Sequence, residues 1–543
     1  MAYKATSDPD TMYLHQAMKE PDKNEFIKAM QMEVDDQLGN GNLTLISRSK
    51  VPRGETILPT VWKMKRKRNI MTRAIRKYKA RLNIDGSRMR QGLDYDETYA
   101  PVAKWNSIRM ILTMVLLHNW KTTQLDYVLA FPQAPVEKEL YMTIPKGFDV
   151  TNSKKGEYVL QVHKNAYGQK QAGRAWNKLL VDKLINNLHF KQSKVDECVF
   201  YRGSTIYIIH TDDSILTGSN QQEIDQIIIY LKEANLDITI EGDLQDFLGV
   251  NIERYSDGRI HLSQPHLIDQ ILHDLRLTDD SVKTKDTPAP SSKILLRHTE
   301  SEDFDNSFHY RSVIGKLNYL EKCTRSDISY ATHQCARFSS CSKKEHGKAV
   351  RHIGRYLKGN RTRGTIMSPN TEELEMYVDA DFVDNWDATE AAPDRDTARS
   401  RHGYIITYAG FPIVWKSRLQ NEVRLSCTES EYTGLSHALR EAIPIMELLN
   451  EMKTYKFPVS DKTPRVKCKV FEDNSGAIEM ANTHKYRPRT KHINCKLHHF
   501  RDYVTRKEIQ ILPIESKHQR ADYLTKPVNI DILKRLRQKV MGW

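Results

Sequence analysis

"IYIIHTDDSILTG", residues 206–218, places two adjacent carboxylates, Asp212 and Asp213, between two short apolar runs. Ile206 to Ile209 are β-branched or aromatic, and Ile215 and Leu216 resume the pattern before Gly218. This predicts a strand, a tight turn and a second strand, with the carboxylates at the tip. Neighbouring carboxylates there repel unless a cation sits between them, which suggests a divalent metal. A solvent-exposed turn is the alternative, because Asp is a common turn former. The tetrapeptide Thr-Asp-Asp-Ser recurs at 278–281, and a third Asp-Asp pair stands at 35–36. The first follows an amphipathic stretch and enters a loop, and the second lies on a helical pattern with a solvated acidic face. Neither has strand flanks.

A chain of 543 residues with 39% hydrophobic content can bury several cores, so it divides into several domains. Lys and Arg outnumber Asp and Glu by 83 to 69, a formal charge of +14, which favours a polyanionic partner. The seven cysteines are dispersed with no Cys-x-x-Cys pair, which points to reduced thiols and an intracellular setting. The longest apolar run, "MILTMVLL" at 110–117, is too short to span a bilayer, so no membrane partner is expected. From Lys63 to Ile84 ten residues are basic and none is acidic, partly alternating and bordered by Trp62. That suits a β-ribbon laying cations along a phosphate backbone; a nuclear-import signal is the competing account. A second basic stretch runs from 484 to 507.

Residues 1–60 look like a helical lead-in and a loop, and 61–280 mix strands and helices, with the last part helical. Residues 281–370 open with a Pro- and Ser-rich linker and continue as strong helices. Strand and helix patterns alternate again over 371–543, suggesting a separate α/β domain.

A two-metal polymerase centre needs a third carboxylate from another strand, and Asp126 at the end of "TTQLD" is the best candidate. Here "QLDYVLAFPQAPVEKELYM" (124–142) resembles motif A of the reverse transcriptases of copia-type (Ty1-like) LTR retrotransposons. "HKNAYGQKQAGRAWNKLL" (163–180) resembles their next motif, and "IIHTDDSILTG" falls where the family carries Tyr-Val-Asp-Asp. "FLGVNIERYSDGRIHLSQPHLIDQIL" (247–272) is similar to its primer-grip hairpin and thumb entry. "IGKLNYLEKCTRSDISYAT", "YVDADF", "LSCTESEY", "EDNSGAI", "RTKHI" and "ADYLTKP" extend the likeness to the C-terminus, in order and spacing. No nucleocapsid Cys/His knuckle, aspartic-protease triplet or integrase zinc motif is visible in the sequence.

The resemblance implies an α/β (α+β) chain: a right-hand fingers–palm–thumb polymerase over 61–280, a connection over 281–370 and an RNase H-like domain over 371–543. It implies an RNA- and DNA-directed DNA polymerase with RNase H activity, using two Mg²⁺ ions per centre, with Mn²⁺ as a substitute. Partners would be an RNA template, a DNA primer, an RNA–DNA hybrid and deoxynucleotide triphosphates. The setting would be cytoplasmic, in a virus-like particle, and in part nuclear. Asp126, Asp212 and Asp213 would be the catalytic, metal-binding triad of the palm. Phe131 would be the steric gate against a ribose 2′-hydroxyl, with a core aromatic as alternative. Lys79 and Arg81 would grip the triphosphate, with a solvated basic face as alternative. Tyr167 and Gly168 would cradle nucleotide and template.

RNase H chemistry needs four carboxylates from separate elements around two metals. Asp379, Glu431, Asp473 and Asp522 occur in the family's order, and both catalytic and metal-binding roles are implied for them. Glu429 is the rival of Glu431, and Asp381 of Asp379. "HINCKLHH" offers His492, Cys495, His498 and His499 at spacings that also suit zinc. His210 and Thr211 replace the family's Tyr-Val. A histidine there suggests activity varying with pH around neutrality, and Thr211 is expected to bury a hydroxyl in the hairpin core. These departures keep a second hypothesis open: a non-catalytic nucleic-acid-binding relic of such an element.

Overall fold

The alternation in "TVWKMKRKR" and "IRKYKARLNI" produces the first element that matters. In the computed structural model these form antiparallel strands Thr60–Arg68 and Ile75–Ile84, with Trp62, Met64, Ala80, Leu82 and Ile84 buried and Lys63, Lys65 and Lys67 outward. The structure describes residues 10–68, 74–148, 156–290, 295–297, 301–369, 371–384, 386–389, 394–459, 464–483 and 499–543. Residues 11–58 are not a separate lead-in. Strand Thr11–Tyr13 pairs with Thr60–Arg68, and Leu43–Ser47 pairs with Tyr158–Lys164. The helix Lys23–Gly39 packs Phe26, Met30 and Val34 into the same core as Trp62, Met64 and Leu82. Together they make the fingers.

The palm is a six-stranded sheet ordered Ile238–Gly242, Lys121–Tyr127, Asp213–Gly218, Thr205–His210, Val199–Arg202, Lys191–Gln192. Its central strands are largely buried; helix Gln221–Glu233 packs against Asp213–Gly218, and helix Trp105–Leu117 shares the sheet's hydrophobic cluster. A four-stranded sheet follows, in which Val250–Arg254 and Ile260–Ser263 form a hairpin and Thr365–Met367 returns to pair with it. Residues 256–280 are therefore a strand and then a helix, Pro265–Asp274, rather than helical throughout.

Helices Tyr310–Cys323, Ser329–Ala336 and Lys344–Gly359 make up the connection. The preceding linker lies against it: His352 Nε2 is 3.0 Å from Thr287 O. The last part is a five-stranded sheet ordered Phe411–Leu419, Arg401–Tyr408, Leu374–Ala380, Cys468–Glu472, Ile509–Pro513. Its first three strands are antiparallel, and the last two run parallel to Leu374–Ala380. The helix Cys427–Thr454 packs across it. This domain is not separate from the palm. One hydrophobic cluster runs from Ile111, Trp120 and Tyr207 through to Leu374, Leu439 and Val470. Among the described residues no helix is long and apolar enough to cross a membrane.

Candidate active sites

The palm strands bring the first three carboxylates to one point. Asp126 and Asp213 are directly opposed across Lys121–Tyr127 and Asp213–Gly218. His210 pairs with Asp213, so Thr211 and Asp212 form a two-residue turn. Thr211 takes the left-handed conformation (φ 60°), unusual for a β-branched residue. Its carbonyl accepts from Trp176 Nε1 at 2.7 Å, and Asp212 O accepts from Tyr127 N at 3.1 Å, which fixes the tip. Burial, then the charges of Asp212 and Asp126, push the Asp213 carboxyl up to about 6. Burial and Asp212 likewise raise Asp126. Half-buried carboxylates that repel one another suit a bound cation. The pairs at 35–36 and 278–281 lie on a helix and in a loop.

The three face a cavity of about 500 Å³ whose opposite wall is the basic hairpin, with Lys67, Lys77, Lys79 and Arg81. Burial, then Arg81, lowers the Lys79 amine to about 8. The Arg81 guanidinium lies 4.6 Å over the Tyr167 ring, and its buried Nε has no partner. Tyr167 lines the cavity; Phe131 stands behind it, ring centroids 5.3 Å apart. Gly168 does not touch the cavity. At φ 92°, a Cβ on it would meet Ile84 O at 2.1 Å, so its close approach is to the hairpin strand that carries Lys79 and Arg81.

Sequence reasoning missed Glu33 and Asp36, which line the same cavity from helix Lys23–Gly39. The signal was present for Glu33, which shares the buried helical face of Phe26, Met30, Val34 and Gln37. His210 is half-buried beside Phe247, and burial lowers its imidazole below the ordinary value. Thr211 is half-buried in the turn and does not fill a core.

In the last domain, ligand atoms of Asp379, Glu431 and Asp473 all lie within 4.8 Å of one another. Asp379 comes from the central strand Leu374–Ala380, Glu431 from the first turns of Cys427–Thr454, and Asp473 from just beyond Cys468–Glu472. Asp522, at the start of Asp522–Thr525, stands outside this trio and pairs with Lys526 at 3.2 Å. Its charge still raises Asp379, after the larger effect of burial, and that carboxyl reaches about 6. Burial, then Glu472, Asp379 and Asp473, push Glu431 up to about 12.

The rivals Glu429 and Asp381 lie outside the Asp379–Glu431–Asp473 group. Glu429 is held elsewhere, accepting from Arg424 Nη1 at 3.3 Å and Leu425 N at 3.0 Å. Asp381 accepts from the Arg401 amide. Glu472 was missed. It is fully buried beside Glu431 with an unpartnered Oε2, and strand alternation with inward Cys468 and Val470 pointed to it. His492, Cys495 and His498 of the zinc alternative lie outside the described residues; His499 packs edge-on against Phe500 at 5.5 Å.

Residues 44–289 match the family model described as reverse transcriptase (RNA-dependent DNA polymerase). Two curated relatives are the retrovirus-related Pol polyproteins from transposon TNT 1-94 of Nicotiana tabacum and from transposon RE1 of Arabidopsis thaliana. They are 31% and 32% identical over 96% and 99% of this chain. The chain spans 38% and 35% of their own lengths. The solved foamy viral protease-reverse transcriptase in complex with dsDNA is 13% identical and covers 90% of this chain and 83% of its own, at a TM-score of 0.49. With a reverse-transcriptase domain over 44–289 and likeness to the transposon proteins along nearly its whole length, the chain belongs to the Pol proteins of copia-type LTR retrotransposons.

Proposed function

We propose that the chain is an RNA- and DNA-directed DNA polymerase with RNase H activity, copying a retrotransposon's RNA into DNA. The observation that carries this reading is Asp126 opposite Asp213, with Asp212 in the turn, facing a cavity walled by Lys79 and Arg81. A carboxylate cluster opposed by cations across a cavity is what a deoxynucleotide triphosphate and its metals require. Asp126, Asp212 and Asp213 would hold Mg²⁺, or Mn²⁺ in its place. Bound there, two such ions supply charge neutralisation for the triphosphate and acidify the primer hydroxyl.

The remaining roles fall to the chain's own groups. Lys79 and Arg81 bind the phosphates, and a triphosphate restores the Lys79 proton that burial loosens. Tyr167, braced by Phe131, forms the floor on which the sugar rests, and the pair together exclude a 2′-hydroxyl. Gly168 seats the strand carrying the two cations. In the second centre Asp379, Glu431 and Asp473, with Asp522 at the margin, would hold the metals that orient water toward the RNA strand of an RNA–DNA hybrid. RNA template, DNA primer and hybrid are the macromolecular partners. A virus-like particle in the cytoplasm, with passage of product to the nucleus, is the setting. Residues 61–280, 281–370 and 371–543 serve as polymerase, connection and RNase H portions, with 11–58 added to the first.

The testing experiment is extension of an oligonucleotide primer on a homopolymer RNA template with Mg²⁺ or Mn²⁺. Metal-dependent incorporation of deoxynucleotides is expected. Its absence with either ion across the pH range returns the relic reading.

A further inference from the structure

Arg109 belongs to the palm helix Trp105–Leu117, yet both hydrogen bonds that its guanidinium donates leave the palm. It is 3% exposed, donates from Nη1 to Ile413 O at 2.5 Å and from Nη2 to Lys322 O, and stacks on Trp415 at 4.0 Å. Ile413 and Trp415 lie on an RNase H strand, and Lys322 ends the connection helix Tyr310–Cys323. One side chain thus joins three parts of the chain. No carboxylate among the described residues pairs with it; the Lys322 carbonyl at a helix C-terminus and the Ile413 carbonyl on a strand offset its charge. Burial still lowers the guanidinium to about 10, so the position is held against a desolvation cost.

A second tie runs the other way. Glu451, on the RNase H helix Cys427–Thr454, accepts from Ser193 Oγ at 2.5 Å, Lys194 N at 2.8 Å and Tyr201 OH at 3.2 Å, all in the palm. Beside it Tyr201 stacks on Tyr455 at 4.7 Å, and Trp120 meets Phe457 at 5.8 Å. Both ties border the continuous hydrophobic cluster shared by the two domains. A buried seam with hydrogen-bonded ties on two sides does not hinge freely.

We propose that Arg109 and Glu451 are positioning residues that lock the RNase H-like domain onto the palm, so that the RNA strand is cut at one set distance from the primer terminus. This rests on the proposed polymerase and RNase H activities. Neither residue touches a reacting group; each acts through the separation of the two carboxylate centres.

Two measurements on the full chain test it. In calorimetry the parent should unfold in one transition, and Arg109→Met or Glu451→Ala should split it, whereas Glu451→Gln, which keeps an acceptor, should not. On a primed RNA template the parent should cut within a narrow band of distances behind the primer end. Arg109→Met and Glu451→Ala should spread that band while extension and cutting of free hybrid stay within about threefold, since no catalytic group is altered.

Two separated transitions in the parent would overturn the lock. So would folded variants that keep the narrow band, or that lose both activities in proportion without spreading it. If Arg109→Met does not fold, Glu451→Ala decides alone. A parent that neither extends nor cuts defeats the proposed function instead, and calorimetry then judges the lock by itself.

Discussion

Asp213 carries a carboxyl pushed to about 6 against an ordinary value of 3.8, with burial as the largest cause and Asp212 next. A raised acid stabilises the metal-free protein only while it is protonated. That contribution is present below the ordinary value and is lost as pH rises through about 6. A divalent cation reverses the sign, since it binds the ionised form. Its rise in melting temperature should be larger at about pH 8 than at about pH 5 and should shrink in Asp213→Asn. Scanning calorimetry at the two pH values checks this. Because the two centres use different carboxylates, Asp213→Asn should lower DNA synthesis on the order of a thousandfold and leave hybrid cutting intact, with Asp473→Asn doing the reverse. Parallel extension and cleavage assays decide it. Phe131→Ala, which unbraces Tyr167, should raise ribonucleotide relative to deoxynucleotide incorporation by about tenfold or more in single-nucleotide kinetics. Motif order singled out the carboxylates that the fold brings together, Asp126, Asp212 and Asp213 in the palm and Asp379, Glu431 and Asp473 in the last domain, with Asp522 at the margin. Glu33 and Glu472 were not singled out, because a buried acid without a motif reads as one more polar residue.

Among the elements, the hairpins were the most legible. Alternation in 60–68 and 75–84 and the apolar flanks of Asp212 and Asp213 prescribe their pairing before any tertiary contact forms. What alternation does not carry is how one hairpin is seated on another. Gly168 performs that task, its backbone against Ile84 where a Cβ would meet the carbonyl at 2.1 Å. Gly168→Ala is therefore strained twice, by the contact and by φ 92°. It should cost about 3 kcal/mol and weaken nucleotide binding, read as a lower melting temperature and a raised KM with the carboxylates untouched. Thr211 shows the opposite limit. The tetrapeptide shows where the turn falls, but the left-handed backbone at Thr211 follows from the two-residue connection between strands rather than from threonine's own preference.

Across the whole molecule, the basic run over 63–84 was readable, and the cleft it helps to line was not. Lys65, Lys67, Arg68 and Arg76 share with Arg254, and with the acids Asp243, Asp246 and Glu253, one cleft of about 990 Å³ between the fingers hairpin and the four-stranded sheet of Val250–Arg254. Binding of an RNA–DNA duplex should fall steeply with salt, and Lys65→Gln with Arg76→Gln should reduce the slope of log affinity against log salt by about 2. Fluorescence anisotropy over a salt series measures it. The seam between palm and RNase H-like domain was invisible in the sequence, because its residues come from segments hundreds of positions apart, as with Arg109 and Ile413. The fingers show a related mismatch between likeness and folding. The reverse-transcriptase family match begins at residue 44, yet Phe26, Met30 and Val34 complete the layer beneath Met64, Ala80 and Leu82. A fragment trimmed to that match would retain every palm carboxylate and leave the strand of Lys79 and Arg81 wet on its apolar side, so the shortest working piece starts well upstream of residue 44.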